Sequence, residues 1–182
     1  WIDISQITSA NDVVIKNNAM SFENYSNLVT CNNLLLTSNV RSMSNYFKNC
    51  GALNTLSFNA SSDISNVENM SNMLDGCSSL TINPIQNIPD SVTNIDYIYK
   101  GTNITDISGL TIGSGIVSAT EWCPSNLKIA NNVTIKNNVI TFTGNTTLQY
   151  IKNFSRPNSN NWKGYFKDCT ALKEDVYFPS NT

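Results

Sequence analysis

The chain has 182 residues, sets 11 Lys and Arg against 13 Asp and Glu for a net charge of −2, and contains no histidine. That balance excludes a nucleic-acid footprint, which needs clustered cations, and it removes the usual base for cysteine and serine nucleophiles. Asn (30), Ser (22) and Thr (17) make up more than a third of the residues, yet 40% are hydrophobic and only 13% charged, so the chain is not a self-repelling disordered one; the Asn content suits tight turns and equally suits an AT-rich genome.

The first element in chain order is Val13-Val14-Ile15-Lys16-Asn17-Asn18, where apolar residues ahead of two Asn predict a hairpin. Three blocks follow in one frame. Met43, Tyr46, Phe47 and Cys50, then Met70, Met73, Leu74 and Cys77, then Ile95, Ile98, Tyr99 and Thr102 are spaced i, i+3, i+4, i+7, which predicts one apolar face of a short helix of about two turns. Val40, Val67 and Val92 extend each face. Downstream the period becomes that of a strand, with Leu53, Leu56 and Phe58, then Leu80 and Ile82, then Ile107, Leu110 and Ile112, and Leu56, Ile82 and Ile112 are expected to point inward. A weak fourth block begins near Thr120, between Val117 and Cys123, which makes the steps 27, 25 and 25 residues. Such a period with leucine-bearing strands predicts an α/β solenoid, a leucine-rich-repeat-like stack of helix-turn-strand units sharing a parallel sheet.

A longer repeat overlays the short one. Val133-Thr134-Ile135-Lys136-Asn137-Asn138 restates the opening motif at an offset of 120, with Phe142 and Leu148 restating Phe22 and Leu28, while Tyr165 to Cys169 restates Tyr46 to Cys50 at 119. The division expected is an N-terminal hairpin or cap over 1–39, a solenoid over 40–130 and the start of a second, hairpin-led module over 131–182. The chain therefore reads as a piece of a longer array.

Val40-Arg41-Ser42-Met43-Ser44-Asn45-Tyr46-Phe47-Lys48-Asn49-Cys50-Gly51-Ala52-Leu53 and Val67 to Leu80 resemble the repeat of about 25 residues found in BspA-type leucine-rich-repeat proteins of bacterial surfaces, V-x-x-M-S-x-M-F-x-G-C-x-x-L; residues 162–172 match its second half. The resemblance implies an extracellular adhesion module, on a bacterial cell surface or a virion such as a phage fibre.

Cys31, Cys50, Cys77 and Cys169 each precede a leucine by three residues, and Cys123 precedes Leu127 by four. A shared address suits small apolar side chains filling one slot of a stacked core, so all five are expected to stay reduced and shielded. Met43, Met70 and Met73, beside them in the frame, are core on the same ground. No G-x-S-x-G elbow or clustered carboxylate loop is present, so neither an enzyme nor a bound metal or cofactor is expected. No apolar run is long enough to span a bilayer. The recognition surface is expected among aromatics off the repeat frame, Tyr25, Tyr97, Trp122 and Tyr150, drawn from a pool that includes Trp1, Trp162 and Tyr177; rings beside Asn amides suit a sugar face. The expected partner is a host surface protein or glycan. The alternative is a structural stalk or virion component whose contacts are neighbouring subunits.

Overall fold

The structure is a computed structural model that describes residues 3–157 and 164–173; Trp1, Trp162 and Tyr177 lie outside the described residues. It is a β-solenoid of parallel strands. A 3-10 turn, Ile4–Gln6, precedes β1 (Ser9–Asn11), β2 (Val14–Ile15), β3 (Thr30–Leu36), β4 (Thr55–Phe58), β5 (Asn87–Ile88), β6 (Thr111–Ile112) and β7 (Thr134–Ile135). β3 pairs with β1, β2 and β4, while β6 lies between β5 and β7, and every pairing is parallel. Registers from Ser9 with Thr30, 21 residues apart, to Ser42 with Asn69, 27 apart, bound the length of one coil across the described residues.

The hairpins expected at both module starts are absent. Val14 pairs in parallel with Leu35, and Thr134 with Thr111. Asn17 and Asn137 do not close a hairpin; each accepts from a backbone N–H two residues on, Ala19 (2.9 Å) and Val139 (2.9 Å), an Asx turn that carries the chain round a corner to the next face.

The α/β expectation is also corrected, because the i, i+3, i+4, i+7 blocks are not helices. Their N–H groups alternate between two kinds of acceptor. Asn45, Phe47 and Asn49 donate to Ser71, Met73 and Asp75 of the next coil at 3.0, 2.9 and 2.8 Å, while Tyr46, Lys48 and Cys50 donate locally to Met43, Asn45 and Phe47. A second rung does the same: Met70, Asn72, Leu74 and Gly76 donate to Asn94, Asp96, Ile98 and Lys100. A left-handed residue every fourth position makes this possible, at Asn45 and Asn49, Asn72 and Gly76, Tyr97 and Gly101. Successive turns therefore deliver the apolar spacing of a helix while half of their N–H groups tie coils together. Asn and Gly hold most of these positions because they tolerate positive φ at least cost.

The core follows the frame. Met43, Phe47, Cys50, Leu53, Met70, Met73, Leu74, Cys77, Leu80, Ile95, Ile98 and Tyr99 are buried, as are Leu56 and Ile112. Phe22 stacks on Phe47 (5.4 Å, 3°), and their counterparts Phe142 and Phe166 stack alike (5.5 Å, 16°). The cysteine thiols take their shared address for a further reason. Cys50, Cys77 and Cys169 donate across one coil to the carbonyls of Phe22 (2.9 Å), Phe47 (3.1 Å) and Phe142 (2.9 Å), so a small apolar side chain also satisfies a buried acceptor.

Two registers differ from expectation. Ile82 is 76% exposed, since Asn83 forms an Asx turn to Ile85 N–H (3.0 Å) ahead of Pro84, and Ile85 and Ile88 take the inward places. In the fourth block Ile116 is buried and Val117 is 74% exposed. The bridges from Ser42 through Asn69 and Asn94 to Ser118 set that coil one residue earlier than the sequence spacing does.

Asn is both a turn former and a rung. Asn49 donates to Asn24 (2.8 Å), Asn59 to Asn33 (2.7 Å), Asn126 to Asn103 (3.1 Å) and Asn153 to Asn132 (3.0 Å), side-chain amides laddered between adjacent coils.

Candidate functional site

The turn ladder stops at the fourth block. Ile95 and Tyr97 donate to Ser118 (3.0 Å) and Thr120 (2.8 Å), but the next two donors in the alternation, Tyr99 and Gly101, have no acceptor among the described residues. On this turn face, side chains replace the backbone ladder between this coil and the first of the second module. The Trp122 indole N–H donates to Thr141 C=O (3.0 Å), Asn145 Nδ2 to Cys123 Sγ (3.3 Å) and Pro124 C=O (3.4 Å), and Thr147 Oγ1 to Leu127 C=O (2.7 Å).

Where the coils part there is a cleft of about 720 Å³, lined among others by Lys100, Gly101, Trp122, Pro124, Val139 and Thr143. Lys100 and Glu121 pair across its mouth at 3.6 Å, both well exposed. Burial pushes the Cys123 thiol up, an effect the Asn145 amide only partly offsets. The thiol is therefore neutral at physiological pH and is not an activated nucleophile. The cleft thus combines a backbone N–H at Gly101 that has no acceptor among the described residues with hydroxyls and an apolar wall. A second opening of about 530 Å³ lies where β4 ends without a partner beyond it and β5 begins; it is walled by Leu56, Phe58, Met70, Met73 and Ile85 and lacks a charged group. Among the described residues no group of three His, Cys, Asp or Glu could hold a metal ion, and no helix is long and apolar enough to cross a membrane.

The four aromatic candidates do not form one patch. Trp122 lines the cleft but is 4% exposed, edge-on to Phe142 (5.3 Å, 63°); the expectation that it lies on the surface, off the core, is corrected, because its ring fills the gap left by the lapsed ladder. Tyr25 is half-buried against Phe22. Tyr97 is half-buried beneath the Lys100 ammonium (4.6 Å), next to the cleft. Tyr150, 39% exposed under Lys173, sits on a separate bridge with Ile129. Lys100, Glu121, Val139 and Asn145 were not visible as site residues in the sequence. The one signal was the decay of the repeat at the fourth block.

The profile of the family described as "Mycoplasma protein of unknown function, DUF285" matches residues 3–110, more than half of the chain. The chain belongs to this family. The DUF285 match covers the regular coils and ends just short of the junction coil at 118–124. Two solved structures are similar: the leucine-rich repeat protein of T. pallidum (14% identity over 93% of this chain and 80% of that one, TM-score 0.45) and a leucine-rich repeat protein from Bacteroides ovatus (13% identity, 90% and 73%, TM-score 0.37). A search of curated proteins found no match.

Proposed function

We propose that the protein is a non-enzymatic recognition module, working outside the cell on a bacterial surface, that takes an extended polypeptide segment of a host surface protein into the cleft at its module junction. The observation that carries this reading is the lapsed ladder. Gly101 holds the turn position at which Gly76 N–H meets the Lys100 carbonyl one coil earlier (2.8 Å), and an extended chain satisfies such a donor with its own carbonyls, as in strand addition to an open edge. Val139, 49% exposed, supplies apolar contact at the rim. A glycan is less well served, since Trp122 is closed over by Phe142 and Tyr150 stands apart. The surface location rests on the resemblance of the Val40 and Val67 repeats to surface-protein repeats.

The test is selection of random peptides on the purified chain, followed by titration of a selected peptide. Val139→Arg, which places a cation at the rim without touching a ladder bond, is expected to weaken binding by about tenfold or more, roughly 1.4 kcal/mol, while Tyr25→Ala leaves it unchanged. Loss with Tyr25→Ala and none with Val139→Arg would remove the cleft from the account. Glycan binding that depends on Tyr150 would replace the polypeptide reading.

A further inference from the structure

The two module starts have the same sequence pattern but different surroundings. In the second module the opening coil is covered. Thr134 and Lys136 N–H donate to Leu110 (3.0 Å) and Ile112 (2.9 Å), Asn137 Nδ2 to Gly113 (2.8 Å), Thr141 C=O accepts from the Trp122 indole (3.0 Å), and Ile140 is fully buried. At the offset of 120 these residues correspond to Val14, Lys16, Asn17, Ser21 and Met20. The Val14 and Lys16 N–H groups, the Asn17 Nδ2 and the Ser21 carbonyl have no partner among the described residues. Val14 is 45% and Met20 40% exposed. The Asx turn inside the coil is nevertheless the same, Asn17 holding Ala19 N–H as Asn137 holds Val139 N–H. The first face is therefore built like the second one, and no described residue takes the place of its cover.

We infer that the Val14–Ser21 face is a mounting face for the closing coil of another module of this kind, joined ahead of it as residues 110–124 are joined ahead of 134–141. The occupant is specified by what the face needs: carbonyls at the places of Leu110, Ile112 and Gly113, an indole donor at the place of Trp122 and apolar cover for Met20. In this chain 110–124 is already engaged by 134–141, so a second copy cannot supply that coil without unfolding its own junction. Only a further module completes the ladder, and a β-solenoid edge with free N–H groups is otherwise an open template.

The experiment lengthens the chain by one module, inserting a second copy of residues 11–130 after residue 130, and follows hydrogen exchange in peptides spanning 12–20. Two equal populations are expected: one exchanges as fast as in the parent chain, and the other is slowed to the rate of the Lys136 segment. A single fast population would overturn the inference. So would protection of the same peptide in the parent chain at rising concentration, which would mean that a second copy covers the face. Should the lengthened chain fail to fold, the parent decides. Met20→Lys is expected to leave its denaturation midpoint unchanged while Ile140→Lys lowers it; equal losses would show that Met20 is already covered.

Discussion

The coils of the first module and the junction between modules solve one problem in two ways. From Phe22 to Lys100, coils are joined by backbone hydrogen bonds at alternate residues, with thiol and amide rungs beside them. On the turn face of the junction the bonds come from an indole, an amide and a hydroxyl, while β6 and β7 keep their backbone pairing on another face. A backbone ladder is indifferent to sequence and closes the space between coils. A side-chain joint is set residue by residue and leaves room beside it, so the cleft lies at the least regular coil.

The largest expected effect breaks the regular region. Phe47→Ala removes a ring stacked on Phe22 and buried between coils, which costs about 3 to 5 kcal/mol. Because each coil is supported by its neighbours, denaturant unfolding is expected to shift as one transition rather than to split. Gly76→Ala comes next. Gly76 has φ +79°, and an added Cβ would stand 2.9 Å from Asn49 Oδ1, so the left-handed strain of about 1 to 2 kcal/mol is a lower bound for the loss. At the junction, Trp122→Phe keeps most of the apolar filling and deletes the bond to Thr141, so the fall is expected to be about 1 to 2 kcal/mol. A Trp122→Phe loss as large as that of Phe47→Ala would show that the joint holds the fold and not only the cleft.

A further effect is a loss of stability at alkaline pH, to which the thiols of the regular coils contribute. Desolvation pushes the thiols of Cys50 and Cys77 from 9.0 up to about 12. A raised pKa of this kind favours the protonated folded form, so its contribution is complete below pH 9 and declines as pH rises toward 12. The denaturation midpoint is therefore expected to fall across that window, and to fall less in Cys77→Ala. A flat profile would place the thiols in contact with water.

Much of this was legible in the sequence. The repeat length, the buried Met, Phe, Cys and Leu, and the correspondence of the two modules came from spacing alone, because stacked coils impose one slot on each position. Local geometry was not legible. The spacing of Met43, Tyr46, Phe47 and Cys50 fits a helix face and also fits successive turns with left-handed Asn45 and Asn49, and only the acceptors on the next coil decide between them. The Asn17-Asn18 pair likewise suits a hairpin or a corner. Trp122 was misplaced because it leaves the repeat frame at the coil where the ladder ends, so that being off-frame marked a joint and not a surface.

The contrast between ladder and joint is tested most directly by residue-resolved hydrogen exchange on the native chain, comparing the two glycines that occupy the same left-handed turn position in successive coils. Gly76 N–H donates to Lys100 C=O at 2.8 Å, whereas Gly101 N–H has no acceptor among the described residues. Gly76 is expected to exchange only through global unfolding and Gly101 close to the rate of an open amide, slowing when a selected peptide is bound. Equal protection at the two glycines in the free chain would contradict the account, since it would mean that the ladder runs through the junction and that the cleft has no donor to offer.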